Sequence, residues 1–184
     1  MAKTYTAVPN VSTLQTYASA DYNTYTATNI SNLIVPPLLR VRRATTQSIP
    51  NAVDTFVTWT IEDVDTDGCF TASSDTITIQ TAGFYFVSAS VLFAASATGY
   101  RVLNVYKNPS SAGDFNPVFA SSWIPVNSGS QSTVCVASAA QSFAVGDTIK
   151  VGVAQSSGGA LNIGEGTTFI NNTQLSVAWV GRTS

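Results

Sequence analysis

The sequence contains no histidine and little charge of either sign. Of its 184 residues, 8 are Lys or Arg and 10 are Asp or Glu, so only 10% are charged and the formal net charge is −2. Ordinary soluble domains carry about 25% charged residues. Without imidazole the chain cannot form a His-dependent triad or a His-ligated metal centre. Without a basic field it is not expected to bind nucleic acid.

Long apolar runs and cysteines are also scarce. No run approaches the ~20 residues of a membrane helix, so we predict no membrane insertion. The start Met1-Ala-Lys-Thr-Tyr5 lacks the apolar core of a secretory signal, which predicts synthesis in a cytosol. Cys69 and Cys135, the two cysteines, are therefore expected to be reduced and buried in strands, with a disulfide as the alternative.

Potential nucleophiles and carboxylates lack the partners that catalysis requires. No Ser or Thr has a His base, and no Gly-x-Ser-x-Gly motif occurs. The acids between Glu62 and Asp67 lie on one predicted turn, whereas glycoside hydrolysis needs two carboxyls placed across a sugar. We predict a protein that is not an enzyme and uses no cofactor.

Alternating apolar residues predict an all-β fold organised around residues 83–96. One side of that strand carries Tyr85, Val87, Ala89, Val91 and Phe93. The other side carries Phe84, Phe86 and Leu92 with serines between them, which is typical of a strand inside two stacked sheets. Further strands are predicted at 38–43, 55–61, 76–80, 100–107, 118–124, 132–143, 148–154 and 174–180. About nine or ten short strands, with no helix after residue 37, predict a β-sandwich.

Residues 1–37 differ from residues 38–184 and are predicted to form a separate N-terminal arm. They carry Tyr5, Tyr17, Tyr22 and Tyr25 but few aliphatic residues before Ile30, so they cannot enclose a core. A short helix could run over residues 19–30, before two prolines end it. A floppy tail is one interpretation. We favour an arm that docks on a neighbour, because tyrosine supplies contact area at low entropy cost.

The only basic cluster contains Arg40, Arg42 and Arg43. These side chains could contact a phosphate or a sugar acid, but a charge-protected edge strand is the favoured interpretation. Low charge combined with many Ser, Thr and Ala residues predicts weakly apolar exposed surface. Such surface is usually buried against further copies of the chain, so we predict an obligate oligomer.

The acids Asp63, Asp65 and Asp67, followed by Gly68, resemble the start of a calcium-binding loop. The position that needs a bidentate Glu is occupied by Ser74, and no helices are predicted to flank the loop. These acids are therefore weak calcium candidates, no metal site is assigned, and a solvated turn is the default interpretation.

Four short motifs, in order, resemble the C1q/tumour-necrosis-factor jelly roll. The motif at 67–70 is similar to a Gly-x-Phe strand start, and the motif at 82–86 is similar to a Gly-x-Tyr-x-Phe strand. Residues 144–149 match a turn of an apolar residue, Gly-Asp and a β-branched residue. Residues 168–169 and 175–179 resemble the closing pair of strands. The resemblance implies a homotrimeric jelly-roll β-sandwich, here with an extended N-terminal arm in place of a collagen stalk.

Other segments resemble C1q-like domains of bacteriophage tail fibres and minor tail proteins. They lie at 40–50, 65–67, 99–101 and 157–162. The segment 18–25 is similar to a phage tail motif, Ala-x-Asp-x-Asn-x-Tyr with a later Asn, which here comprises Asp21, Asn23, Tyr25 and Asn29. The resemblance implies a virion protein, made in the host cytoplasm, whose arm (Tyr5, Tyr17, Asp21, Tyr22, Asn23, Tyr25, Asn29) docks on other virion proteins.

Two virion roles and one unrelated role remain open. A tail fibre or minor tail protein would recognise a host-surface glycan or protein, whereas a capsid decoration or head-fibre protein would stabilise the capsid. The third role is a secreted lectin-like module. Loops at 110–116, 127–131 and 156–162 are rich in Ser, Gly and Asn, which suit contacts to sugars. For the aromatic candidates, a place in the core or the trimer interface is the favoured interpretation, and a stacking face for a sugar is the alternative. The candidate binding residues are Tyr100, Phe115, Asn116, Trp123, Asn127, Gln131 and Asn162.

Overall fold

Twelve strands make up the described part of the chain. The computed structural model describes residues 20, 26–27, 29–30, 34–114, 116–126, 132–164 and 173–182. The strands are β1 (Leu38–Arg42), β2 (Gln47–Ile49), β3 (Thr55–Phe56), β4 (Ile61–Asp65), β5 (Ile77–Thr78), β6 (Gly83–Phe93), β7 (Tyr100–Lys107), β8 (Val118–Pro125), β9 (Thr133–Phe143), β10 (Thr148–Gln155), β11 (Leu161–Ile163) and β12 (Gln174–Gly181).

The strands form two antiparallel sheets. The seven-stranded sheet has the order β2-β11-β6-β12-β1-β4, and β9 pairs with the other edge of β6. The five-stranded sheet has the order β3-β10-β7-β8, with β5 also paired to β10. Strand β6 has two long neighbours in the first sheet, and β7 and β10 pair along most of their lengths in the second. The predicted all-β sandwich is confirmed.

The core lies between the two sheets. The inward side of β6 consists of the five residues predicted for it, and all of them are buried. They pack with Leu103 and Val105 of β7 and with Val151 and Val153 of β10 in a single hydrophobic cluster. On the other side of β6, Phe84 and Phe86 are 41% and 47% exposed, because no described element covers them. The two sides of β6 thus have the characters that the alternation predicts.

The predicted strand at 55–61 is two strands in different sheets. Strand β3 pairs with β10, whereas β4 pairs with β1. Between them the chain crosses the sandwich, with Val57 and Trp59 buried along the way. The solvated turn predicted from Glu62 was placed too early, because residues through Asp65 form the ladder of β4. Strands β2 and β11 were not predicted, and β11 occupies part of the predicted loop 156–162.

The arginine-rich strand β1 is not an edge strand, so that interpretation was wrong. It lies between β12 and β4. Arg42 Nε contacts the Asp63 carboxylate at 2.8 Å, and Arg40 contacts it at 3.6 Å, so both cations face the neighbouring strand. Arg43 is buried and donates to the backbone carbonyls of Thr58 and Thr46.

Both cysteines are free and buried, as predicted for reduced thiols. Cys135 lies in β9, whereas Cys69 follows β4 outside a strand. Burial raises the pKa of each thiol to about 12, so neither forms a reactive thiolate near neutral pH. Most of the helix predicted at 19–30 lies outside the described residues, although Asn29 and Ile30 have helical backbone. No helix in the described ranges is long and apolar enough to cross a membrane.

Candidate functional site

The outer face of the five-stranded sheet contains a pocket. Along β7, Leu103 and Val105 point into the core, so Val102, Asn104 and Tyr106 lie on the opposite, outer side. Their partners across the β7–β8 ladder extend the same face. These partners are Trp123 opposite Val102, Ser121 opposite Asn104 and Val118 opposite Tyr106.

A loop covers one end of this face. Tyr106 is completely buried, although it points away from the core. Its ring meets Phe56 edge-on at 5.8 Å, and its hydroxyl forms a hydrogen bond with the backbone of Gly113 in the loop after β7. Gly152 lies beneath the ring, where an added Cβ would approach Tyr106 Cε2 to 2.7 Å. Burial, together with the nearby Asp54 and Asp114, raises the pKa of Tyr106.

The pocket opens beside this covered end and has a volume of about 500 Å³. Small-molecule sites are commonly clefts of roughly 300–1,000 Å³ with apolar walls and a few polar groups. The lining follows that pattern. Its residues are Asp54, Tyr100, Val102, Asn104, Val118, Ser121, Trp123 and Ala154.

One wall of the pocket is an aromatic pair. The rings of Tyr100 and Trp123 have centroids 5.1 Å apart and are tilted by 54°. Trp123 is 68% exposed, so its indole faces solvent rather than the core. Tyr100 is fixed at its backbone, since its N–H donates to Ser156 Oγ at 3.0 Å and its carbonyl accepts from Arg101 Nη1 at 2.9 Å. Burial lowers the pKa of Arg101.

The base of the pocket is polar. Asn104 is only 3% exposed; its Oδ1 accepts from Ser121 Oγ at 2.7 Å and its Nδ2 donates to the Tyr106 hydroxyl at 3.3 Å. These bonds orient the amide and leave one donor and one acceptor site. Asp54 adds a half-buried carboxylate, for which the described residues supply no hydrogen bond or ion pair. No lysine or arginine is among the described lining residues.

The structure brings together two of the predicted binding residues, Tyr100 and Trp123. Asn116 is exposed in the loop after β7, with its N–H 3.3 Å from Asp114 Oδ1, and does not line the pocket. Asn162 lies on β11 opposite Ser48, in the other sheet. Phe115, Asn127 and Gln131 lie outside the described residues, as do the arm residues Tyr5, Tyr17, Asp21, Tyr22, Asn23 and Tyr25. Asn29 of the arm is half-buried.

Sequence reasoning missed the polar base. Alternation over 100–107 places Val102, Asn104 and Tyr106 opposite Leu103 and Val105, as the structure does. An outward Asn beside two aromatic candidates was the available signal. Nothing in the local sequence indicates that Asp54 reaches the same pocket, because its neighbours pair with β10 rather than β7.

The weak calcium candidates are engaged by other groups. Asp63 contacts Arg42 and Arg40. Asp65 uses both carboxylate oxygens to accept backbone N–H groups, from Gly68 at 2.8 Å and Phe70 at 2.9 Å. In the described ranges, no three His, Cys, Asp or Glu side chains are grouped so that they could hold a metal ion.

A second surface, on the far side of the sandwich, is apolar. On the outer side of the seven-stranded sheet, Leu38, Ala178, Phe86 and Ala140 lie in one row across four strands. In the neighbouring row, Arg40 is followed across the sheet by three serines. Their small side chains leave the surface recessed between the larger apolar ones. We call this surface the apolar face. Its residues are Leu38, Phe84, Phe86, Val134, Val136, Ala140 and Ala178.

Solved structures share this fold. Murine APRIL at pH 5.0 is 15% identical with a TM-score of 0.58, over 78% of this chain and 98% of that chain. The globular domain of zebrafish complement 1qA is 17% identical with a TM-score of 0.56, over 80% and 99%. Eiger TNF from S. frugiperda is 9% identical with a TM-score of 0.59, over 80% and 96%. Neither the protein-family models nor the curated proteins gave a match. The fold is a C1q/TNF-like jelly roll, as predicted.

Proposed function

We propose that this chain is a non-enzymatic phage virion protein that assembles as a homotrimer through its apolar face. The observation that carries the self-association is the exposure of Phe84, Phe86 and Val136 on one surface of the single chain. Several large apolar side chains exposed on one outer face, here on both sides of a serine row, indicate an interface in soluble proteins. The serines and alanines on this face have small side chains, so a second copy can approach the sheet closely.

The virion role rests on the sequence resemblances to phage tail proteins. In this proposal the N-terminal arm, with Asp21, Asn23, Tyr25 and Asn29, docks on other virion proteins. The sandwich forms the knob of a tail fibre or minor tail protein and recognises a host-surface glycan or protein. The pocket supports the recognition role, because it offers an aromatic wall and a polar base on the side of the sandwich opposite the apolar face.

Sedimentation analysis of the full chain tests the assembly. The wild type should sediment as a particle of three 19.3 kDa chains. Val136→Asp places a charge on the apolar face at a side chain that is 54% exposed, and should yield monomers. Val145→Asp is the matched control, since Val145 is 64% exposed on the β9–β10 turn outside that face. A monomeric wild type, or a Val136→Asp trimer, contradicts the proposed assembly.

Immunogold electron microscopy of phage particles tests the location, with antibody raised against residues 50–184. Label at the tail tip or along a fibre supports the recognition role. Label over the head favours the alternative of a capsid decoration or head-fibre protein that stabilises the capsid. Absence of label from every particle contradicts the virion role and favours a secreted lectin-like module.

A further inference from the structure

We propose that the pocket on the outer face of the five-stranded sheet binds a neutral saccharide. This inference rests on the recognition role proposed above and assigns its ligand class. It adds Asp54, Asn104 and Ser121 to the aromatic residues Tyr100 and Trp123.

The aromatic wall matches the apolar side of a sugar ring. One side of a pyranose carries mainly C–H groups, which pack on the face of an aromatic ring through dispersion and weak C–H contacts. The indole of Trp123 is exposed beside the pocket, and Tyr100 limits its position from one side. Since the Tyr100 backbone is fixed by Ser156 and Arg101, the wall is largely formed before a ligand arrives.

The polar base matches neighbouring hydroxyl groups. A sugar hydroxyl both donates and accepts, so a pair of them requires partners of both kinds at one place. The Asn104 amide keeps one donor and one acceptor beyond its bonds to Tyr106 and Ser121. The Asp54 carboxylate accepts only, and charge-assisted bonds of that kind are about twice as strong as neutral ones.

The charge of the pocket selects against acidic ligands. Asp54 lines it, Asp114 lies in the covering loop, and the described lining contains no cation to offset them. A uronic acid or a phosphate would therefore be repelled. A quaternary ammonium ion is the competing ligand, because aromatic rings and carboxylates attract it. The oriented Asn104–Ser121 pair favours the sugar, since an ammonium ion of that type makes no hydrogen bonds.

The pocket lies on the side of the sandwich opposite the apolar face. Its lining residues lie on the outer side of β7, β8 and β10, with Asp54 just before β3, whereas the apolar face is the outer side of the other sheet. The two surfaces are separated by the whole thickness of the core. A copy seated on the apolar face therefore does not cover the pocket of the same chain.

Saturation-transfer NMR on the full-length protein tests the inference. The probes are glucose, galactose, N-acetylglucosamine, glucuronic acid and choline. We expect a neutral sugar to bind, with glucuronic acid and choline giving weaker signals. Trp123→Ala and Asp54→Asn should each weaken the affinity for that sugar by about tenfold or more. Both side chains lie outside the core, and Val145→Asp, at a residue that does not line the pocket, should bind like the wild type.

Several outcomes overturn the inference. They are a wild type that binds none of the neutral sugars, a preference for choline, and unchanged affinity in both pocket variants. Sedimentation of the same samples separates this failure from failure of the proposed assembly. A wild-type trimer that binds no sugar contradicts the saccharide proposal alone. A monomer that binds sugar contradicts the proposed trimer and leaves the saccharide proposal intact.

Discussion

The two outer faces of the sandwich differ in how far they bury an aromatic residue on a central strand. Phe86 of β6 and Tyr106 of β7 both point away from the core on long central strands. Phe86 is 47% exposed in the single chain, whereas Tyr106 is completely buried under Phe56 and the loop that contains Gly113. Phe56 of β3 and the loop after β7 cover Tyr106, whereas no described element covers Phe86.

The two outer faces are therefore suited to different kinds of contact, one with another copy of the chain and one with a ligand in a pocket. The uncovered face is apolar and has small side chains between its larger ones, so another copy of the chain can pack against it. The covered face gains a rigid end around Tyr106, against which Asn104 is held by a hydrogen bond. A pocket can form beside that end because its base is already fixed.

The largest expected effect is on stability, from truncating the two aromatic rings in turn. Tyr106→Ala removes a fully buried ring and should lower the free energy of unfolding by about 3–5 kcal/mol. Phe86→Ala should change it by about 0.5 kcal/mol or less, because the ring is exposed in the monomer. Urea unfolding, measured in the Val136→Asp background so that assembly does not contribute, gives both values. Equal losses from the two substitutions would mean that the faces are packed alike.

The sequence predicts the two faces only as far as alternation reaches. It places Phe84 and Phe86 opposite the core residues of β6, and Val102 and Asn104 opposite those of β7, as the structure does. Alternation defines the side of a strand on which a residue lies. It does not define what covers that side. The burial of Tyr106 depends on Phe56, which is distant in the chain and lies on β3, and on Gly113, in a loop whose path alternation does not define.

Changes of sheet are hidden from the sequence for a related reason. Residues 55–61 alternate without interruption, yet their hydrogen-bonding partners change from β10 to β1 between Phe56 and Ile61. Asp54 enters the pocket because β3, which directly follows it, pairs with β10. Strands as short as β2 and β11, with three residues each, offer too little alternation to be recognised. Of the residues that line the pocket, the sequence singled out only the aromatic wall, Tyr100 and Trp123, and their role in binding stays a prediction.

A second substitution probes how tightly the covered face is packed. Gly152→Ala would place a Cβ 2.7 Å from Cε2 of the buried Tyr106 ring, so ring or strand must move. We expect a loss of about 1–3 kcal/mol in the free energy of unfolding. Gly159→Ala is the matched control: an added Cβ there has nothing within 4 Å, and the change should stay within about 0.5 kcal/mol. If both variants unfold at the same urea concentration, the ring is not confined.

The stability contributed by the turn between β9 and β10, which joins the two sheets, should depend on pH. Asp147 lies on the turn from β9 to β10 and accepts from Asn108, the Ala144 amide and Lys107. Burial would raise the pKa of Asp147, but these partners outweigh it and lower the pKa. A lowered folded-state pKa gives stability that is present above the unfolded-state pKa of about 3.9 and is lost as the pH falls through the folded-state pKa.

Asp147→Asn should therefore destabilise the protein by on the order of 1 kcal/mol at pH 7. The difference from the wild type should stay constant down to about pH 5 and shrink below about pH 4. Urea titrations across this range measure it. Glu62→Gln removes an exposed acid from β4 and controls for the loss of one negative charge. A difference that grows towards low pH would have the wrong sign for the proposed network.

The smallest expected effect concerns the acidic segment beside the apolar face. Asp63 already contacts Arg42, and Asp65 already accepts backbone N–H groups from the turn that follows β4. A calcium ion would have to displace these partners. Among the described residues, no three acidic side chains are grouped closely enough to coordinate one ion. We expect excess EDTA, and then excess Ca²⁺, to leave the melting temperature unchanged within about 1 °C, which corresponds to a few tenths of a kcal/mol or less. A drop with EDTA that only Ca²⁺ restores would reinstate the calcium loop and would require Asp63 to exchange its arginine contacts for a metal.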